Sequence, residues 1–402
     1  MTPSPELVAT LRRVRSRGLA VAVGGGFVCA LGYLSRREQF YPAYLTAFLY
    51  WLSLSLGCMG MAMIHGMTGG AWGRMIRRVL EAGYETLPLM ALLFLPIWFG
   101  APLIYEWTDP VFVSLHPVLV RKSGYLNLEA WHWRAIAYFA IWIVITWSLN
   151  RYSPNEERDG DSLRARALQK VSGIGFMVYG FTSTLAGVDW VMSLEPLWYS
   201  TMYGLVQIAG QGVSGLSFAI VVVAALRQFK PWSQIVTPVR LNDSGSLLLA
   251  AVMFWTYCSF FQYLVIWCGN LPEENTWYVH RSRHGWQYLA IGLIALHFSV
   301  PFFLLLSRPL KQDPRNLGRI AALLLVMHFV DLYWMVIPGF PRESSRFKGS
   351  SFHWLNLVAF VTIGGLWLTV FAWRLSVRIA FPIYDPELKE GMDERPRQPV
   401  TA

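Results

Sequence analysis

Run after run of about twenty residues carries too little charge to belong in water, and this feature limits the chain more than any other. Each run is long enough to cross the ~30 Å hydrocarbon core of a bilayer as a helix. Ten such segments lie near 17–34, 41–65, 84–105, 131–150, 171–193, 199–226, 244–268, 285–306, 317–338 and 352–375. The whole chain is 54% hydrophobic and 14% charged, which fits a multispanning membrane protein and excludes an ordinary soluble domain of this length. Lipid offers nothing to unpaired backbone groups, and the runs are too long for barrel strands, so all ten read as helices. The expected fold class is all-α, an integral membrane protein of ten transmembrane helices.

The formal charge of +10 would suit a nucleic-acid binder, but the placement of the charges points elsewhere. With the N-terminus inside, the inner segments hold Arg12, Arg13, Arg15 and Arg17, then Arg74, Arg77 and Arg78, then Arg151, Arg158, Arg164, Arg166 and Lys170. Arg227, Lys230, Arg240, Arg308, Lys311, Arg315, Arg319 and a basic tail from Arg374 to Arg397 follow. The outer segments hold far fewer. The positive-inside rule therefore predicts cytoplasmic termini, a charged cytoplasmic loop over 151–170 and a polar tail over 382–402. Membrane lipid is the expected surroundings, and no nucleic acid is expected as a partner.

The stretch "RRVRSRGLAVAVGGGFVCALGYL" has the basic and apolar regions of a signal peptide, but no small-x-small cleavage site follows and no lipobox precedes Cys29. It is expected to be the first spanning helix. The cysteines, Cys29, Cys58, Cys258 and Cys268, fall inside predicted spans with no CxxC or CxxCH spacing. They read as small packing residues, and no cofactor held covalently or by metal ligation is expected.

Helices two to five and six to nine carry three markers in the same order. "IWFG" at 97–100 is matched by "IWCG" at 266–269, and Trp133 by Trp286. "VDWVMSLEP", with Asp189 and Pro196, is matched by "VDLYWMVIP", with Asp331 and Pro338, each proline seven residues after its acid. The expected organisation is a parallel repeat of two four-helix bundles plus two flanking helices. Its parts are an N-terminal segment and first helix over 1–40, bundles over 41–198 and 199–340, and a tenth helix and tail over 341–402. Glycines at 57, 60, 66, 69 and 70, and at 210, 212 and 215, would let the second and sixth helices approach closely in the bundle centres.

An ionisable group inside a span costs several kcal/mol unless it faces a polar cavity or a partner, so each is a functional candidate. These are His65 at the inner end of helix two, Asp189 and Glu195 at the outer end of helix five, His297 in helix eight, and His328 and Asp331 in helix nine, with Gln207 as an uncharged companion. His328 and Asp331, three residues apart, share a helix face. Asp331 lies about 10 Å inside Pro338 at ~1.5 Å per residue, deeper than Asp189, whose role Glu195 is placed to share. The set reads as a proton relay or the wall of a quinol cavity. His297 and His328 also have the depth and opposed directions of a bis-His b-haem pair, a weak signal from two residues. The outer loop "GNLPEENTWYVHRSRHGW" offers Glu273, Glu274, His280, Arg281, Arg283 and His284 as a docking surface for an extracytoplasmic partner. None of these residues reads as catalytic and none as a metal ligand.

The stretches "FYPAYLTAFLYWLSLSLGCMGMAMIHGMTGGAWG", "GVDWVMSLEPLWYSTMYG", "FWTYCSFFQYLVIWCGNLPEENTWYVHR", "FVDLYWMVIPG" and "FPIYDPELKE" resemble the ActF family, the second quinone-binding-type membrane subunits of bacterial alternative complex III. That family lies within the superfamily of NrfD and polysulfide-reductase membrane anchors, and the resemblance covers roughly 40 to 385. It implies a ten-helix subunit of a quinol:cytochrome c or quinol:copper-protein oxidoreductase in the bacterial inner membrane, without activity on its own. It implies a sister NrfD-like subunit and iron–sulfur and multihaem c subunits as partners, and menaquinol or ubiquinol as the ligand. Two other functions fit the residues: a secondary transporter with two parallel repeats, and a purely structural membrane anchor.

Overall fold

The computed structural model describes residues 4–152, 162–230, 232–340 and 353–378, and no strand occurs among them. The expected tail over 382–402 and the middle of the expected loop over 151–170 lie outside the described residues. Among the described residues eight helices are long and apolar enough to cross a membrane, nine when one bent pair is taken as a single span, so the chain is a multi-pass all-α membrane protein. The end at which the first helix begins and the last finishes is called inner below, the opposite end outer.

Helix α1 (Pro5–Ser35) starts on Ser4, whose hydroxyl accepts from the Leu7 amide, with Pro5 at the first turn. Helix α2 (Arg37–Thr68) is the hub: 89% of its apolar stretch is buried, against 22% for α1. A helix apolar all round either faces lipid or fills a core, and burial separates the two cases. The inner segment begins with α3 (Ala71–Tyr84) and continues into α4 (Leu87–Leu93) and α5 (Leu95–Ile104). The third expected span is thus broken, with a bend of 52°. Pro96 supplies the cause, since it has no N–H to continue the ladder. The Leu93 carbonyl beside the break accepts from the Tyr44 hydroxyl of α2 at 2.8 Å.

Helix α6 (Leu128–Tyr152) is long enough to span, but His132, Arg134 and its tryptophans lower its apolarity, and it is not among the eight. Helix α7 (Ser162–Trp190) begins well before 171, so the inner part of the expected 151–170 loop is helix. Helices α8 (Tyr203–Leu226), α9 (Pro238–Gly269) and α10 (Pro272–Arg281) follow. The next span joins α11 (Trp286–Gly292), a π-helical turn over Leu293–Ser299 and α12 (Val300–Leu306). Helix α13 (Pro314–Val336), capped by Asp313, and α14 (Trp354–Arg378) complete the fold.

The two glycine-bearing helices, α2 and α8, meet at the centre as expected. A Cβ on Gly57 would stand 1.9 Å from the Gln211 carbonyl oxygen, and one on Gly215 2.3 Å from the Gly57 carbonyl carbon. The backbones touch there, and only glycine permits it. Helices α7 and α13 both pack against this central pair, while α1 lies along α14 at the periphery. Three cysteines are buried as expected; Cys268, at the outer end of α9, is exposed.

Candidate functional site

The two acids in matching frames have unlike surroundings. Asp331, on α13, is 4% exposed, and the hydrogen bond found for its carboxyl comes from the Trp255 indole of α9, at 3.2 Å. One turn earlier, the His328 Nε2 lies 2.7 Å from the Ser53 hydroxyl of α2, which in turn is 3.4 Å from the Ser214 hydroxyl of α8. The ring fits because Gly210 has no side chain; a Cβ there would come within 3.1 Å of the imidazole. Asp331, His328, Ser53, Gln207 and Gln211 line one cavity among α2, α7, α8 and α13, with a volume of about 30 Å³. A water needs about 10–15 Å³ measured this way, whereas a benzene-sized ring takes a void of about 150 Å³. This cavity has room for about two or three waters.

Three buried nitrogens in this region have no partner among the described residues, besides those of His297: the His328 Nδ1, the Gln207 Nε2 and the Trp190 Nε1. His297 is fully buried with neither ring nitrogen paired, and its ring lies 4.0 Å from that of Trp255, which therefore stands between His297 and Asp331. Buried polar groups almost always find a partner, so such a cluster is where ordered water belongs. His297 also sits in the π-helical turn, a widening that is rare and frequent at functional sites.

Asp189, at the outer end of α7, is 0% exposed. Arg134 of α6 grips both its oxygens, Nε to Oδ2 at 2.8 Å and Nη2 to Oδ1 at 2.9 Å, and the Tyr138 hydroxyl donates to Oδ2 at 2.8 Å. The guanidinium stacks 4.0 Å over Tyr125, whose phenol is pushed up to about 12 by burial and then by the Asp189 charge. Asp189 is a carboxylate locked by a cation. Arg134 escaped the sequence reading although the rule applied to acids in spans applies equally to an arginine there.

Glu195 does not stand in for Asp189. It pairs with Arg281 of α10 at 2.7 Å and with His280 at 3.2 Å. Burial alone would raise its carboxyl, but Arg281 and His280 outweigh burial and hold it below the ordinary value. Arg281 is 2% exposed, stacks 3.8 Å over Trp277 and donates to the Met335 and Trp334 carbonyls at the end of α13. This removes Arg281 from the docking surface; it joins the ends of α7, α10 and α13. Glu273, His280, Arg283 and His284 are exposed, and Glu274 is half-buried. His65 is apart from all of these at the inner end, donating from Nε2 to the Gly70 carbonyl at 3.2 Å. The structure thus brings Asp331, His328, Gln207 and His297 together and leaves Asp189, Glu195 and His65 in three separate networks.

Among the described residues, no group of three or more His, Cys, Asp or Glu is placed to hold a metal ion. No model of a known protein family matches the chain, and no curated protein matches it.

Proposed function

We propose that the chain is a proton-handling membrane subunit of a respiratory quinol:cytochrome c or quinol:copper-protein oxidoreductase of the alternative complex III type. The observation that carries the reading is the Asp331–His328–Ser53 cluster: an acid and an imidazole buried against a water-sized cavity, with no cation among the hydrogen-bond partners of the carboxyl. A carboxyl with one neutral donor can exchange its proton without breaking an ion pair, and His328, one turn away, lines the same cavity. In this reading the ten segments form ten spans in two parallel repeats, the protein sits in the bacterial inner membrane, and quinol chemistry and redox centres belong to a sister NrfD-like subunit and to iron–sulfur and multihaem c subunits. The exposed outer residues Glu273, His280, Arg283 and His284 supply the docking face.

The test is Asp331→Asn in the intact complex, which is expected to assemble normally and to lower proton translocation per quinol at least tenfold. Unchanged turnover and proton stoichiometry would reduce the cluster to a structural hydrogen-bond network. Orientation is checked by Ser16→Cys and Glu273→Cys on a Cys268→Ser background, with an impermeant thiol reagent expected to label position 273 from the periplasm and position 16 from the cytoplasm.

A second reading, a secondary transporter, draws on the break at Phe94 and the π-helical turn around His297, since transporter sites favour interrupted helices. Substrate flux through the solitary chain in proteoliposomes separates it from the first.

A further inference from the structure

Between α5 and α6, at the outer end, the chain forms two short helices, Pro110–Leu115 and Pro117–Lys122, that turn their apolar side chains outward. Val111 and Leu115 are 67% and 71% exposed, Val118 and Val120 about half, and Leu119 alone is buried. The segment is firmly tied. The Asp109 carboxylate accepts from the Val111 amide at 2.9 Å, His116 donates from Nδ1 to the Phe112 carbonyl at 2.8 Å, and the Lys122 amine donates to the Pro196 carbonyl at 2.9 Å. Arg134 of α6 holds the far side through the Tyr125 carbonyl at 2.9 Å. A contiguous apolar face held outward in this way marks a contact surface.

The depth of the segment follows from its neighbours. Glu81 and Glu85, paired with arginines, mark the inner boundary, and Asn150 of α6 donates to Glu85 there at 2.7 Å. From Asn150 to His132 the helix climbs ~27 Å at ~1.5 Å per residue, close to the ~30 Å of hydrocarbon. His132 donates from Nε2 to the Trp98 carbonyl at 3.3 Å and stacks on that indole, so Trp98 stands near the outer boundary. The 52° bend at Phe94 carries α5 more sideways than outward, and the two short helices begin where it ends. Exposed rings of the kind that sit at a membrane surface flank them, Trp133 of α6 and Tyr199, the latter under the Lys122 amine at 5.4 Å.

We infer that this pair of helices is seated in the outer leaflet of the bilayer, with Val111, Leu115, Val118 and Val120 at the boundary between headgroups and acyl chains. Lipid is the occupant because the face continues the lipid-facing sides of the spans on either side, where Phe99 and Leu103 of α5 and Trp133 and Ile136 of α6 are exposed. Arg121, exposed at the close of the second helix, is a cation placed for lipid phosphates. The outer surface around α10 differs, since Glu273, His280, Arg283 and His284 give it a polar face suited to water or a soluble partner. The inference is independent of the proton-handling reading.

The full-length chain on a Cys268→Ser background is placed in nanodiscs of phosphatidylcholine and phosphatidylglycerol, and its remaining cysteines are buried. Leu115→Cys, Val118→Cys and, as a water-facing reference, Glu273→Cys each carry an environment-sensitive fluorophore; two positions in the segment guard against one variant that fails to fold. Lipids bearing a nitroxide either at the headgroup or at the chain end serve as quenchers. The headgroup nitroxide is expected to quench positions 115 and 118 roughly threefold more than position 273, and the chain-end nitroxide to quench them less, because an interfacial helix lies shallow. Quenching no stronger than at position 273, with water-like emission, would leave the segment in water and overturn the proposal. Stronger quenching from the chain end would sink it into the hydrocarbon, and apolar emission without lipid quenching would mean that a second copy of the chain covers the face; either result also overturns it.

Discussion

Asp189 and Asp331 lie on two helices that share a sequence frame and pack on the same central pair, yet one is held by an arginine and the other is a nearly solitary carboxyl. Asp189 accepts three hydrogen bonds, two from one guanidinium. The bond found for Asp331 comes from a neutral indole. The difference teaches that a buried acid in a span has two outcomes with opposite consequences. Paired with arginine it cements the fold, because removing either partner strands a charge in a low dielectric. Beside water-sized space and a histidine no ion pair holds it. Exposure does not distinguish the two, since both are buried; the partner does.

The largest effect should come from Arg134→Ala, which strands the Asp189 carboxylate. Breaking a buried pair from one side costs about 3–5 kcal/mol, visible as a steep fall in unfolding midpoint and in yield from detergent. The double variant Arg134→Met, Asp189→Leu should recover more than half of that loss. A double variant as unstable as the single one would show that the pair is not the cause.

Next in size is the contrast between Asp189→Asn and Asp331→Asn. The first removes the anion of a bidentate pair and should cost about 2–3 kcal/mol, in line with hydrogen bonds to charged groups. The second leaves Trp255 an amide oxygen to donate to and should change stability by about 0.5 kcal/mol or less. Equal losses in thermal unfolding would erase the distinction between the two halves.

The smallest effect concerns Glu195, which belongs to neither acid's network. Glu195→Gln should cost about 1–2 kcal/mol at neutral pH, the value of a charge-assisted bond at a partly wet site. The carboxyl is held below its ordinary value of 4.5, so the folded state binds its proton less readily than the unfolded chain does. Its contribution is therefore complete above that value and is lost as pH falls through the lower folded one. Unfolding midpoints of the parent and the variant should converge as pH drops below about 4.5, and a gap that stays constant would remove the carboxylate from the latch.

Much of this architecture could be read before any coordinates. The length and apolarity of the runs determined helices and a membrane, because lipid permits little else. The glycines of α2 and α8 announced the close crossing at Gly57 and Gly215, since a missing side chain is a local property. The break near Phe94 had a local sign as well, in Pro96.

What each polar side chain does was decided only in three dimensions. Asp189 and Arg134 are 55 residues apart, Asp331 and Trp255 76, and Glu195 and Arg281 86. The frame shared by the two acids says nothing about what neighbouring helices bring to meet them. The same holds for Arg281, which reads as an exposed loop cation and is instead a buried clamp over Trp277. Helix formation and membrane insertion depend on the residue and its near neighbours, so sequence alone determined them. The charge state and the role of a buried group depend on the partner within about 3 Å, and only the packing of distant helices decided that partner.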